Sequence, residues 1–541
     1  MTARSQIKEE NMFRRLKNKI DGMTRKQEII ISLLFYTLFV LLTFGVMRLF
    51  NCGYHLVDDK DFLYYNDLLK VGGKSLFEVT HEVFWQDMSY RFRPVWALVR
   101  LLTSLLFGIN LLPYTIMRIV ELLIGMITLH SIARRRNNSF FAAVFFVLIG
   151  YVGYQSCNWW KLGTPEIRAM MVFALAFWCQ LKYLDERKRG FEILSLLLYA
   201  NLCMSKENFI LLIPFAMVYP IYYDWVENNT KASFKAFWES IKKFKVSLIA
   251  YALMFLISIT YIGLTLNTGN YVVSFDGTGK LSEYIEANRE ALSTDLKWFL
   301  RFGIFFFAVM LTFWENLKKM WKEIALALVF ILPQIAIYFS VGITERYILP
   351  FSIGYAYFFV LVAWKKGVLR GPRKIVYSAG VILLLLAHTR GALREADYYR
   401  YRGNSVQTML DAVVSMSEEN EDIKVLSCLY PNIEGDNTIY YYERYYGYDN
   451  LYVWVNDEGT VNGSELRFYN DMFKDLPTDY EPADMDVIVA YNKEDRHWCH
   501  EIEFDVSKYD KYTCGTLDVY VKPEKVSNIP NMEVRGLWFD F

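Results

Sequence analysis

Arg91-Phe92-Arg93-Pro94-Val95-Trp96-Ala97-Leu98-Val99-Arg100-Leu101-Leu102-Thr103-Ser104-Leu105-Leu106-Phe107-Gly108-Ile109-Asn110 is the ambiguous stretch of this 541-residue chain. It is apolar but amphipathic, and two arginines and a proline open it. If it crossed a bilayer, Arg134-Arg135-Arg136 would fall outside the cytoplasm. Laid along the outer membrane surface, it leaves Leu111 to Ala133 as the second span and returns the arginine triplet to the inside. The Lys/Arg excess of cytoplasmic loops is the better guide for a single ambiguous helix, so the surface placement is adopted.

From there the alternation runs regularly in both directions. Upstream, Glu28 to Phe50 is one bilayer's length of apolar residues, and Arg14, Arg15, Lys17, Lys19, Arg25 and Lys26 before it place the N-terminus in the cytoplasm. No cleavable signal peptide is expected. Downstream, spans are expected over Ser139 to Cys157, Met170 to Tyr183, Phe191 to Met204, Phe209 to Tyr223 and Val246 to Leu266. Four more follow over Trp298 to Trp314, Ile324 to Val341, Ile348 to Trp364 and Ile375 to about Thr389. The loops Asp185 to Arg189, Lys231 to Lys245, Lys318 to Lys322 and Lys365 to Lys374 are then all cytoplasmic. The expectation is a mainly α, polytopic transmembrane helix bundle of about eleven spans.

Composition agrees with a mixed protein. At 54% hydrophobic and 17% aromatic the chain is too apolar for ordinary soluble domains, and at 22% charged it is too polar for spans alone. A net charge of +1 argues against a nucleic-acid partner. Three segments follow: a cytoplasmic 1–27, a membrane domain 28–390 with an outer loop 51–110, and an extracytoplasmic domain 391–541. The last is polar and tyrosine-rich. Helical spacing of Val406, Met409, Leu410, Val413 and Val414, with strand-like runs at Ile423 to Leu429, Leu451 to Val455, Asp486 to Ala490 and Leu517 to Val521, reads as a small α/β domain. It carries no Gly-rich phosphate loop and no triad signature. His497-Trp498-Cys499-His500 reads as a surface cluster ahead of a metal site. Cys428, Cys499 and Cys514 leave room for one disulfide, whereas Cys52, Cys157, Cys179 and Cys203 read as small hydrophobes.

This topology brings one set of charges to the outer surface: Asp58-Asp59 in the first loop, Glu166 after Pro165, Lys206-Glu207, and Glu345-Arg346-Tyr347. Each has an ordinary explanation alone. Arg91 and Arg93 suit interfacial snorkelling, Lys206-Glu207 a helix-end ion pair, and Glu166 the dipole of a helix N-terminus. Together they combine carboxylates able to act as base or metal ligand with cations suited to a phosphate. Attack of a hydroxyl or amine on a sugar carried by a lipid phosphate needs that mixture at a membrane surface. A transporter or flippase would instead call for ionisable groups at mid-bilayer. Arg118 and Glu121 are the exceptions here, and they read as an intrahelical pair near the cytoplasmic end. A non-catalytic receptor or assembly protein would tolerate replacement of the aspartates.

The order of motifs resembles the GT-C membrane glycosyltransferases, near the protein O-mannosyltransferase and lipid A aminoarabinose transferase group. The shared features are Asp58-Asp59-Lys60-Asp61-Phe62 in the first outer loop, Arg93-Pro94 opening a surface helix that ends at Gly108-Ile109-Asn110, Ser205-Lys206-Glu207-Asn208 ahead of Pro214, and Arg346-Tyr347-Ile348-Leu349-Pro350 late in the bundle. The likeness spans about residues 28 to 390, and the C-terminal domain matches no family. It implies a multi-pass cell-membrane enzyme that takes a sugar from a polyprenyl-phosphate donor to an extracytoplasmic glycan, lipid or protein acceptor. In that scheme Asp58 or Asp59 is the base. Arg346 and Lys206 face the donor phosphate, with Arg91, Arg93, Glu207, Glu345 and Tyr347 around it. Glu166 stands where some relatives place a metal-binding or substrate-orienting acid, so a divalent metal is the one cofactor to test. Two departures stand out. The second acid of the pair is Asp where mannosyltransferases carry Glu, and Glu166 lacks the neighbouring acid of metal-dependent oligosaccharyltransferases.

Overall fold

The computed structural model describes residues 22–90, 92–137, 139–227, 233–265, 296–341, 343–365, 369–429, 432–454, 476, 480–495, 502 and 504–539. Arg91, the 267–293 loop and the 497–500 cluster, Cys499 included, therefore lie outside the described residues. Helix α1 (Arg25–Val46) starts at a capping box in which Thr24 accepts from the Gln27 amide and the Gln27 side chain accepts from the Thr24 amide. Then come α2 (Lys60–Asn66), α3 (Leu76–Tyr90), α4 (Pro94–Phe107), α5 (Leu111–Asn137), α6 (Phe140–Tyr151) and the single turn α7 (Cys157–Trp160). The bundle continues with α8 (Glu166–Glu186), α9 (Arg189–Cys203), α10 (Ile213–Glu227), α11 (Phe234–Thr265), α12 (Lys297–Leu311), α13 (Trp314–Lys319), α14 (Trp321–Val341), α15 (Ile348–Ala356) and α16 (Gly371–Glu419).

Each of the eleven segments read as a span is helical. Among the described residues, six helices are long and apolar enough by themselves to cross a bilayer, and a seventh is the broken pair Phe140–Tyr151 plus Tyr154–Trp160, bent by 74°. Shorter apolar helices such as α9, with fifteen residues, complete the bundle. The stretch that decided the reading, α4, has fourteen residues. That is about 21 Å, well short of a ~30 Å hydrocarbon core. It packs on α2 and α3 in a helical layer at one end of the bundle.

The charged loops sort to two ends. Arg134 pairs with Glu28, Arg136 with Glu227 and Lys365 with Glu323, so the arginine triplet and the other basic loops share one end. Arg93 pairs with Glu207, Lys161 with Glu345 and Arg346 with Asp58 at the other, which we call the site end.

Helix α16 carries 49 residues without a break, about 73 Å of helix. It is both the last apolar span and the first helix of the C-terminal domain. That domain adds β1 (Val425–Cys428), α17 (Ile433–Tyr446), β2 (Leu451–Val453), β3 (Val487–Tyr491), β4 (Asp510–Cys514) and β5 (Leu517–Val521). The sheet order is β2-β1-β3-β5-β4, with β1 parallel to both β2 and β3, and β5 antiparallel to β3 and β4. Strand β3 is buried throughout, so its Val-Ile-Val-Ala-Tyr run is legible as a strand. Edge strand β4, Asp-Lys-Tyr-Thr-Cys, is mostly exposed and shows no apolar run. Cys428 and Cys514 are free thiols.

Candidate active site

The acid pair sits in a tight turn. Leu56 and Asp58 take left-handed backbone conformations, φ 57° and 58°. Such conformations cost a non-glycine residue roughly 1–2 kcal/mol each, less for Asp than for Leu. The turn is held by carboxylates. Asp59 accepts the His55 amide at Oδ2 (2.5 Å) and the Val57 amide at Oδ1 (3.0 Å), and it is 1% exposed. Burial pushes its carboxyl up to about 6, against the pull of those amides. The two aspartates thus have different jobs available to them. Asp59 is committed to the backbone, whereas the Asp58 side chain keeps 24% of its surface and faces the Arg346 guanidinium at 3.0 Å. The Asp58 amide points elsewhere, donating to Glu434 Oε2 at 2.8 Å.

The connection between α6 and α8 closes over the turn, and helix α16 backs it. The bend after α6, released at Gly153 with φ 139°, swings Trp159, Trp160 and Lys161 over it. Gly163 lies flat against the Asp58–Asp59 peptide, where a Cβ would collide with the Asp58 carbonyl and the Asp59 nitrogen. Behind the turn, Gly53 and Gly403 allow α16 to approach, and a Cβ on Gly403 would meet the His55 ring. His55 is buried, and burial lowers its imidazole to about 3, so it is neutral.

The cations are arranged around this opening. Lys161 is buried, ion-paired with Glu345 and 4.7 Å from the Tyr399 ring centre. Burial opposes its charge, and Glu345 more than restores it, holding the ammonium well above its usual range. Glu345, disfavoured by the same burial, is held down to about 2 by Lys161. Lys206 lies 3.4 Å from Glu166 and 5.2 Å from the Tyr347 ring centre. That ammonium lowers the Tyr347 phenol below its ordinary range despite burial. Glu166, at the first turn of α8, is completely buried, and neither carboxylate oxygen has a hydrogen-bond partner among the described residues. Both polar atoms of the neighbouring motif residue Asn208 are likewise buried and unpartnered.

The structure therefore gathers Asp58, Asp59, Glu166, Lys206, Glu345, Arg346 and Tyr347 at one end of the bundle. Arg93 and Glu207 stand beside them but are turned toward each other, Arg93 Nε lying 2.7 Å from both Glu207 oxygens. Lys206-Glu207 is thus not a pair within one helix end: each reaches a different segment. Among the described residues no three His, Cys, Asp or Glu side chains gather where a metal could be held, and Glu166 has an ammonium as its neighbour.

One sequence expectation is overturned. Arg118 and Glu121 do not form an intrahelical pair near the cytoplasmic end. Both lie in the first half of α5, toward the site end. Arg118 donates to the Leu162 and Thr164 carbonyls at 2.7 and 2.6 Å, and Glu121 accepts from Arg168 Nε at 2.6 Å. They pin the 161–166 loop and helix α8 in place. A buried guanidinium satisfies backbone carbonyls that water cannot reach, which outweighs an exposed i,i+3 contact.

Sequence reasoning also missed Lys161 and Glu434. Lys161 stands amid Trp159, Trp160 and Gly163, and a cation beside a glycine that must admit a backbone was the available signal. Glu434 carried none, because it reaches Asp58 from 376 positions away.

The fold is a bundle whose helices are long and apolar enough to cross a membrane, joined to a C-terminal α/β domain whose Glu434 reaches the acid turn. No protein-family model matches the chain, and no curated protein matches it. Among solved structures it is similar to ArnT from Cupriavidus metallidurans, a crystal structure bound to undecaprenyl phosphate, at 13% identity and a TM-score of 0.43, over 86% of this chain and 94% of that one.

Proposed function

We propose that the protein is an integral membrane glycosyltransferase that moves a sugar from a polyprenyl-phosphate donor to an acceptor outside the cytoplasm, with Asp58 as general base. The observation that carries this reading is the Asp58–Arg346 pair: a partly open carboxylate 3.0 Å from a guanidinium, beside Lys161 and Lys206. A base and a phosphate-binding cation adjoin, which is the geometry the reaction requires.

In the proposed reaction, the donor phosphate draws Arg346 away from Asp58 and leaves that carboxylate facing the acceptor. An acceptor hydroxyl or amine attacks the anomeric carbon, and the bond from that carbon to the phosphate oxygen breaks. The electron pair departs with the polyprenyl phosphate, whose charge Arg346 and Lys206 stabilise, and the acceptor proton passes to Asp58. Asp59 acts on the turn rather than on substrate. A metal at Glu166 would need ligands from substrate or water, and Lys206 already offsets that charge.

Purified protein is incubated with a panel of polyprenyl-phosphate sugars, with and without a chelator, and release of the lipid phosphate is followed. Transfer that Asp58→Asn abolishes and a chelator leaves intact is the expected result. Full activity in Asp58→Asn, Asp59→Asn and the double variant would remove the base from both residues.

A further inference from the structure

We infer that Glu434, on α17 of the C-terminal domain, is a positioning residue for Asp58, so that the two domains share one active site. This rests on the functional reading above and extends it to the domain that matches no family. The geometry is specific. The Asp58 amide points away from its own loop and donates to Glu434 Oε2 at 2.8 Å. The other Glu434 oxygen lies 3.6 Å from Lys60 Nζ, the first residue of α2. Glu434 thus clasps the acid turn from both sides of Asp59. Because Asp58 is left-handed at φ 58°, its amide and side chain diverge, and an acceptor for that amide fixes where the carboxylate points.

The docking of α17 supports the assignment. Its tyrosine-rich face lies on the outer helical layer: the Tyr441 ring is 5.3 Å from that of Tyr64, and Arg444 Nε donates to Asp67 at 2.9 Å. Asn432 caps the helix by accepting the Glu434 amide at 3.2 Å, which places Glu434 in the first turn, where the dipole suits an anion. The charged groups facing Glu434 are Lys60, Asp58 and Asp59, with Arg346 beyond Asp58. Burial pushes its carboxyl up, opposed by Lys60 and assisted by Asp58.

The test compares Glu434→Ala, Glu434→Gln and Arg444→Ala in the full chain. Glutamine keeps an acceptor for the Asp58 amide but loses the charge, and Arg444→Ala removes one contact of α17 with the helical layer, to Asp67, away from Asp58. Glu434→Ala is expected to lower kcat about tenfold to a hundredfold, the range for losing a hydrogen bond to a charged group, with donor KM within about twofold. Glu434→Gln keeps the acceptor for the Asp58 amide and restores most of kcat. Arg444→Ala keeps kcat near wild type.

Hydrogen exchange of the peptide spanning residues 54–62 supplies a readout independent of turnover. It accelerates in Glu434→Ala and stays slow in Glu434→Gln. Unchanged exchange in Glu434→Ala overturns the inference, as does an Arg444→Ala variant that matches Glu434→Ala in kcat. If wild-type protein transfers from no donor, the functional reading fails by itself, and the exchange result alone decides the role of Glu434.

Discussion

The two ends of the helical bundle differ in how deeply their ion pairs are buried. At the basic end, ion pairs such as Lys188–Glu186 and Lys318–Glu315 reach solvent, with Lys188 70% exposed, although Arg134–Glu28 there is mostly buried. Exposed pairs contribute about 0–1 kcal/mol each. At the site end two pairs are buried on both sides, Lys206 with Glu166 and Arg93 with Glu207, and Lys161 holds a buried ammonium against a partly exposed Glu345. Removing those ions from water costs several kcal/mol apiece, and their mutual attraction does not always repay it. The difference separates charge held at the protein surface from charge held inside the fold.

The sharpest way to break this contrast is at Asp58. Asp58→Asn is expected to reduce transfer by about 10²–10⁴-fold, the range for losing a general base, without altering the amount of folded protein in detergent. Near-normal turnover would dissolve the distinction between the ends. Next is Gly163→Ala, which inserts a methyl into the Asp58–Asp59 peptide. Displacing the base by about 1 Å is expected to cost on the order of 10²-fold in kcat while the bundle still forms, measured by turnover beside circular dichroism.

A matched pair of lysine variants addresses energetics. Lys206→Met leaves Glu166 buried without its cation and should destabilise the protein by about 3–5 kcal/mol. Lys182→Met, at the basic end, should change stability by no more than about 0.5 kcal/mol. Thermal unfolding in one detergent compares them, and equal shifts would show that burial is not what divides the two ends.

The smallest effect is expected at Glu443 in the C-terminal domain. It is buried, with Ser417 Oγ at 3.5 Å from one oxygen and the other unpartnered, and burial raises its carboxyl to about 8. The folded-state value lies above the unfolded value of 4.5, so ionised Glu443 opposes folding. That cost is absent below pH 4.5, grows as pH rises toward 8 and is complete above it. Glu443→Gln should therefore raise the melting midpoint by roughly 2–4 °C at pH 8.5 and leave it unchanged at pH 4. A gain of equal size at both pH values would point to packing instead of charge.

Much of the bundle was legible because its signals are local. Apolar length, basic flanks and the fourteen-residue reach of Pro94–Phe107 each depend on contiguous residues, and they place the helices and their ends. Strands β1, β2, β3 and β5 were readable from apolar runs, whereas the polar edge strand β4 and the tyrosine-rich helix α17 were not. The acid pair, Glu166, Lys206 and Arg346 could be brought to one end from topology alone. Their partners could not. Arg118 looked paired with Glu121 three residues away, yet each found a better partner on another segment. Arg93 took Glu207, and Glu434 arrived from a domain that carried no recognisable motif.

What the sequence by itself determined is the architecture and the end of the bundle where reactive groups collect, because hydropathy and charge bias act over single segments. What only the tertiary structure decided is which aspartate is available. Asp58 and Asp59 are identical side chains on adjacent residues. A left-handed turn, the glycine packed on their shared peptide and a carboxylate from the C-terminal domain give one of them the backbone to hold and leave the other facing a guanidinium. Those forces come from atoms hundreds of residues apart, and no local pattern encodes them.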